Sequence, residues 1–162
     1  MIGNDELYRE ISEEFTFPVI VDQEAKKLGL ISEERSTIEE FIEKSDLKDI
    51  DAKSILDVFG YDFSGFLSFL TGNEIKAIFP ALVHIILFEG EKCEDLDMSF
   101  LGLFSQITDY DRSRLHGFKS GLSEKQIQLV KEFVIRIFET LDITILSAYD
   151  LTEEAVCKTL DS

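Results

Sequence analysis

Residues 62–90, DFSGFLSFLTGNEIKAIFPALVHIILFEG, form the longest apolar stretch of the chain, from Asp62 to Gly90. Inside it Thr71 and Glu74 stand three residues apart. At that spacing a threonine hydroxyl takes the N3 amide while the glutamate reaches back to the cap amide, so a helix is predicted from Gly72. Ile75, Ile78, Phe79, Leu82, Ile85 and Ile86 recur at intervals of three and four, over an arc wide enough to bury the helix on most sides. Only Lys76 and Asn73 are expected to turn outward early in it. Pro80 removes a backbone donor and its ring crowds the carbonyl of Lys76, which predicts a kink or a break between Ala77 and Ala81. Gly90 is a natural stop. His84 has no acid or thiol at i±3 or i±4 and reads as a hydrogen-bonded core residue.

Working outward, the flanking segments are helical as well. Upstream, Asn4 is placed to cap a helix carrying Leu7, Ile11 and Phe15, which Phe17-Pro18 ends. A brief helix after Asp22 closes at Gly29. Ser32 or Ser36 opens a largely solvated helix with a thin stripe of Ile38, Phe41 and Ile42, and Asp51 caps a helix through Phe59 that Gly60 closes. Downstream, Glu91 to Asp97 reads as a polar loop, Met98 to Ile107 as an apolar turn or two, and DYDRSRLHGFKSG as turn, short helix and turn. Ser123 with Gln126 forms a second capping box, opening the longest regular helix through Ile127, Val130, Phe133, Val134, Ile137 and Phe138. ITILSAY suits a short strand, and Asp150 with Glu153 begins a last helix. The expected fold is all-α: a compact single-domain bundle of helices, residues 1–162, around a buried, proline-kinked central helix with at most minor β content.

Composition narrows the function classes. The 33 acidic against 16 basic residues give a net charge of −17, a field that repels phosphate backbones and anionic membranes and speeds encounter with basic partners. Nucleic-acid and membrane binding are thus disfavoured. Cys93 and Cys157 lie far apart with no metal-ligand spacing, so free thiols are expected. The acidic N-terminal segment lacks the basic and apolar regions of a signal peptide, and the apolar run from Ile78 to Phe88 falls short of the roughly 20 residues that cross a bilayer. A cytoplasmic protein is the expectation.

Phe69-Leu70-Thr71, then Phe79-Pro80-Ala81, then Leu122-Ser123 with Gln126, Val130 and Phe133 make a pattern that resembles an uncharacterised bacterial domain-of-unknown-function family. Its members carry an FLTPEAFRYYLPA-like core and a later LTPEQ helix. The likeness covers Tyr8 to Glu139 and implies a shared fold without catalytic residues to carry over. Gly72 stands where that family usually has proline, and Ala77 and Ile78 where it usually has aromatics.

No nucleophile elbow, phosphate loop or metalloprotease signature is present. The pairs Asp95/Asp97 and Asp109/Asp111 invite a calcium reading, but the EF-hand template fails at positions 6 and 12 from either start. The leading expectation is therefore a binding module without a cofactor, of the immunity or antitoxin type, that occludes a basic partner such as a toxin nuclease. Its carboxylates would come from Glu39, Glu40, Glu43, Asp46 and Asp49, and from Asp95, Asp97, Asp109 and Asp111 with Tyr110. Tyr8, Tyr61 or Tyr110 would anchor the contact. The alternative is a metal-dependent hydrolase using His116 with Asp109 and Asp111. A third reading, a row of acids mimicking a nucleic-acid duplex, requires regular spacing on one face.

Overall fold

The computed structural model describes residues 2–60, 63–92, 95–146 and 149–162, with the side chains of residues 63 and 64 also left undescribed. Tyr61, Cys93 and the residues 147–148 end of the predicted strand lie outside the described residues. The described elements are α1 (Asn4–Glu14), α2 (Glu33–Lys44), α3 (Ala52–Phe59), α4 (Phe63–Ser68), α5 (Gly72–Phe88), α6 (Leu96–Gly102), α7 (Asp109–Lys119), α8 (Glu124–Leu141) and α9 (Glu153–Asp161). Short 3₁₀ turns stand between several of them. The β content is one antiparallel pair of two-residue strands, β1 (Ile145–Leu146) and β2 (Leu151–Thr152), with Ile145 opposite Thr152. The all-α expectation holds.

Local chemistry sets most helix starts. Ser32, Asp51, Thr71 and Ser123 each accept the amide three residues on, and at Thr71 and Ser123 the returning Glu74 and Gln126 complete the box. Gly3, not Asn4, occupies the cap position of α1, because the Asn4 side chain is drawn away to accept a hydrogen bond from Arg136. Thr152 rather than Asp150 caps α9. The segment from Asp109 is a full helix of 11 residues, since Thr108 and Asp111 form a capping box of their own. The polar loop ends earlier than expected as well, leaving Asp97 in the first turn of α6.

Helix α5 is the axis of the bundle. From Gly72 to Val83 every residue but Asn73 is buried, and the helix continues through Pro80 without a break. Lys76, expected outward, is buried too. Phe79 sits at the middle, with ring centroids 4.8 Å from Phe15 and 5.6 Å from each of Phe100, Phe118 and Phe133. One ring thus contacts rings from the ends or faces of α1, α6, α7 and α8, each fully buried phenylalanine being worth about 1.5–3 kcal/mol in transferred surface. A second node joins α2, α3 and α4 through Phe41, Phe59 and Phe66, at 5.1–5.8 Å. Both belong to one continuous apolar cluster.

The α5–α7 contact is closest at Gly72. A Cβ there would lie 1.9 Å from the Arg114 carbonyl oxygen and 2.5 Å from the Phe118 nitrogen, so the pairing admits only glycine. A proline at this position would likewise collide with α7 as this chain packs it.

Candidate functional site

Because α2 is short and strongly charged, its attachment to α5 needs more than its apolar stripe. Arg35 lies on that stripe, one turn before Ile38, and is 1% exposed. Its two terminal nitrogens each donate to one oxygen of Glu74 at 2.6 Å, a bidentate pair sealed from water. Its Nε donates to Glu39 at 3.2 Å and its Nη1 also to the Phe69 carbonyl at 2.8 Å. Burial pulls the Arg35 pKa down, but the Glu74 hydrogen bonds and charge, with Glu39 behind them, outweigh it and hold the guanidinium above its ordinary value. Glu74 also accepts the amides of Thr71 and Asp22, at 2.8 and 2.9 Å, and Thr71 donates its hydroxyl to Asp22 at 2.8 Å. The capping box is thereby the centre of a network joining α2, α5 and the segment before α2.

Two further cations are buried with no carboxylate partner among the described residues. Arg114 donates from Nε to the Leu70 carbonyl at 2.9 Å and from Nη2 to that of Leu67, closing the end of α4, and stacks 5.3 Å from the Tyr110 ring. Lys76 donates to the Ser120 carbonyl at 2.6 Å and lies over Phe17. Burial lowers the pKa of both. Lys119 and Arg136 are likewise spent on carbonyl and amide oxygens. Arg9, Lys27, Lys44, Lys53, Arg112, Lys125 and Lys131 pair with nearby acids. Among the described residues this leaves Lys26, Lys48, Lys92 and Lys158 as the cations without such a partner. Buried Arg35 and Glu74 cancel and each surface pair consumes an acid with its cation, so it is the buried Arg114 and Lys76 that leave the outer surface slightly more acidic than the net charge conveys.

The residues expected to meet a partner divide on inspection. Glu39 turns inward to Arg35, while Glu40 is exposed and pairs with Lys44 at 2.5 Å. Glu43 is exposed, with no ion pair among the described residues. Asp46 and Asp49 are exposed and cap one another's 3₁₀ turn. Asp95 is exposed in the left-handed region, φ 69°. Asp97 is half-buried, and burial raises its pKa. Tyr110 donates its hydroxyl to the Ser68 carbonyl at 2.6 Å, Asp109 pairs with Arg112, and Asp111 is held by the Thr108 cap. Tyr110 is thus a latch between α7 and α4 more than an open anchor.

Two surface hollows bear on function. Between α2 and α3, Thr37, Glu40, Phe41, Lys44, Ser45 and Val58 line a groove of about 340 Å³, and Val58 is 46% exposed in its floor. It lies within the acidic region that the sequence singled out. The second, an open groove of about 550 Å³, brings Asp109, Arg112 and His116 of α7 beside Asp22 and Asn73. Asp111, the third member of the hydrolase set, does not line it. No group of three or more His, Cys, Asp or Glu side chains suited to a metal ion occurs among the described residues. Cys157 is free, and burial raises its pKa, away from a reactive thiolate.

Sequence reasoning missed Arg35, whose place on the Ile38 stripe was the available signal. It also missed the surface position of His84, which has its Nδ1 3.6 Å from Glu89, five residues on. Among the described residues no helix is long and apolar enough to cross a membrane. Compared with protein-family models, curated proteins and solved structures, the chain gives no match in any of the three.

Proposed function

We propose that this chain is a cytoplasmic protein-binding module of the immunity or antitoxin type, which docks on a basic partner and covers its working surface. The observation that carries the reading is the partition of charge. Acids outnumber cations 33 to 16, two of the cations, Lys76 and Arg114, are buried away from the surface, and the α2–α3 groove offers an apolar floor within the acidic region so left. A basic protein gains there on both counts: long-range steering by the carboxylates, then burial of an apolar side chain against Phe41 and Val58. A second copy of this chain is a poor occupant, since two such surfaces repel.

The test begins with a partner identified by cross-linking in the native host and then purified. Its association rate with this chain should fall steeply as ionic strength rises past about 0.1 M, where the Debye length is about 10 Å. Glu40→Lys with Glu43→Lys should slow association further, and Val58→Asp should speed dissociation. A rate independent of salt, or the absence of any protein partner at any ionic strength, would overturn the proposal.

A further inference from the structure

At the C-terminal end of α5 three rings meet at the surface. Tyr8 of α1 lies 5.0 Å from the His84 ring and 6.0 Å from Phe88, and His84 and Phe88 are 5.1 Å apart, all in edge-on or tilted arrangements. They lie apart from the fourfold contact around Phe79 and remain open to solvent: Phe88 is 42% exposed and the His84 side chain 42%. Glu89 follows directly, with one carboxylate oxygen 3.6 Å from His84 Nδ1 and 3.4 Å from the Ala52 amide. The last carbonyls of α5 point the same way, so the negative end of its dipole reinforces the Glu89 charge. Glu91 is exposed just beyond.

An open aromatic face beside a carboxylate and a helix C-terminus suits a cation with a flat, weakly hydrated surface. Arginine meets that description better than lysine, since its guanidinium stacks on a ring while its N–H groups reach carboxylate or carbonyl oxygens in the plane. Helix α3 connects the patch with the α2–α3 groove. Ala52 bonds Glu89, and Val58 stands six residues further on, about 9 Å along the helix axis. We propose that Tyr8, His84 and Phe88, with Glu89, form the arginine-receiving anchor of the docking surface, the partner's guanidinium lying over Phe88. This rests on the docking reading above and says where on the molecule its tightest contact falls.

Deca-arginine and deca-lysine peptides, titrated into isotope-labelled protein at low salt, separate the two claims. Both peptides should bind through the acidic surface, but only deca-arginine should shift the ring signals of Phe88 and His84. Phe88→Leu, which keeps an apolar side chain and removes the ring, should weaken deca-arginine about two- to five-fold and leave deca-lysine unchanged. Circular dichroism of that variant should match the parent, as the ring is half-exposed. If deca-arginine binds while the Phe88 signals stay still, or if Phe88→Leu weakens both peptides equally, the anchor is refuted and the docking reading stands. If neither peptide binds, both fall together.

Discussion

Removing the Glu74 carboxylate should harm this protein more than removing the guanidinium it holds. The two side chains are 1–2% exposed and share two hydrogen bonds of 2.6 Å. Stripping one partner from such a pair leaves a buried charge and costs about 3–5 kcal/mol. The costs are unequal because the neighbours differ. In Arg35→Met, Glu74 still receives the Thr71 and Asp22 amides, which favour its charged form, so the cost falls near the bottom of that range, about 3 kcal/mol. In Glu74→Ala, Arg35 keeps Glu39 and the Phe69 carbonyl, but the two amides lose their acceptor, adding about 1 kcal/mol each. The expected cost is then about 5 kcal/mol, against a total stability of about 5–15 kcal/mol for a domain of ordinary stability. Urea unfolding followed by far-UV circular dichroism measures both. At this chain length the gap of about 2 kcal/mol should appear as roughly 4–8 °C in Tm. The double variant, Arg35→Met with Glu74→Met, should recover part of the loss but not all, since the amides stay orphaned. Arg35→Met proving as costly as Glu74→Ala, or both lying within about 1 kcal/mol of the parent, would refute the account.

Other perturbations follow from the same geometry. Gly72→Ala should destabilise by at least the upper part of the usual 1–3 kcal/mol for overpacking, because the atom 1.9 Å away is backbone; differential scanning calorimetry reads it, and a shift under 2 °C would contradict the close approach. Thr108→Ala should cost about 1 kcal/mol and expose the N-terminal amides of α7 to faster hydrogen exchange, leaving α8 protected. Lys76 offers a pH test. Burial lowers its folded pKa, so the folded state binds this proton less readily than the unfolded chain, and stability contributed at this site rises with pH until the ordinary lysine value is passed. Lys76→Met should therefore be most favourable relative to the parent near pH 7, with the difference shrinking as pH climbs through the depressed value towards about 10.4. A difference that stays flat or grows over that window would mean the charge carries no burial penalty.

How much of this was legible in the residues depended on how far apart the interacting groups lie. Caps at Ser32, Asp51, Thr71 and Ser123 act across three residues and could be read directly. Thr108 with Asp111 has the same spacing but is obscured in the sequence, because a cap and a metal ligand draw on the same residue types. Arg35 looked solvated because its partner is 39 residues away. Yet it occupies the face of Ile38, where any side chain must be buried. Lysine generally stays in water, but at Lys76 the near-complete burial of this part of α5 overrides that tendency. Of the candidate site, the acidic region around Glu40 and Glu43 was visible. The α2–α3 groove and the Tyr8–His84–Phe88 patch were not, since each arises where separate helices meet.

The buried cations and the acidic surface are two sides of one arrangement. A helical bundle with short α3, α4 and α6 has many carbonyls at helix ends that no backbone amide reaches. Here long basic side chains serve them: Arg114 at the end of α4, Lys76 at Ser120, and Lys119 at the end of α9. Arg114 and Lys76, both buried, are thereby withdrawn from the surface, where they would have offset a carboxylate. The internal role thus sharpens the external field without a single added acid. If the field is what a partner reads, Lys119→Met should do two things at once: fray α9, seen as faster amide exchange at its C-terminal turn, and raise the association rate with a basic partner, because a half-exposed positive charge is lost. A surface lysine engaged only as a counter-ion, such as Lys44 beside Glu40, should show the second effect without the first. Lys44→Met should leave stability within about 0.5 kcal/mol, because an exposed pair contributes little, while raising the association rate with a basic partner. Both variants slowing association equally would show that the partner reads structure at these sites rather than charge.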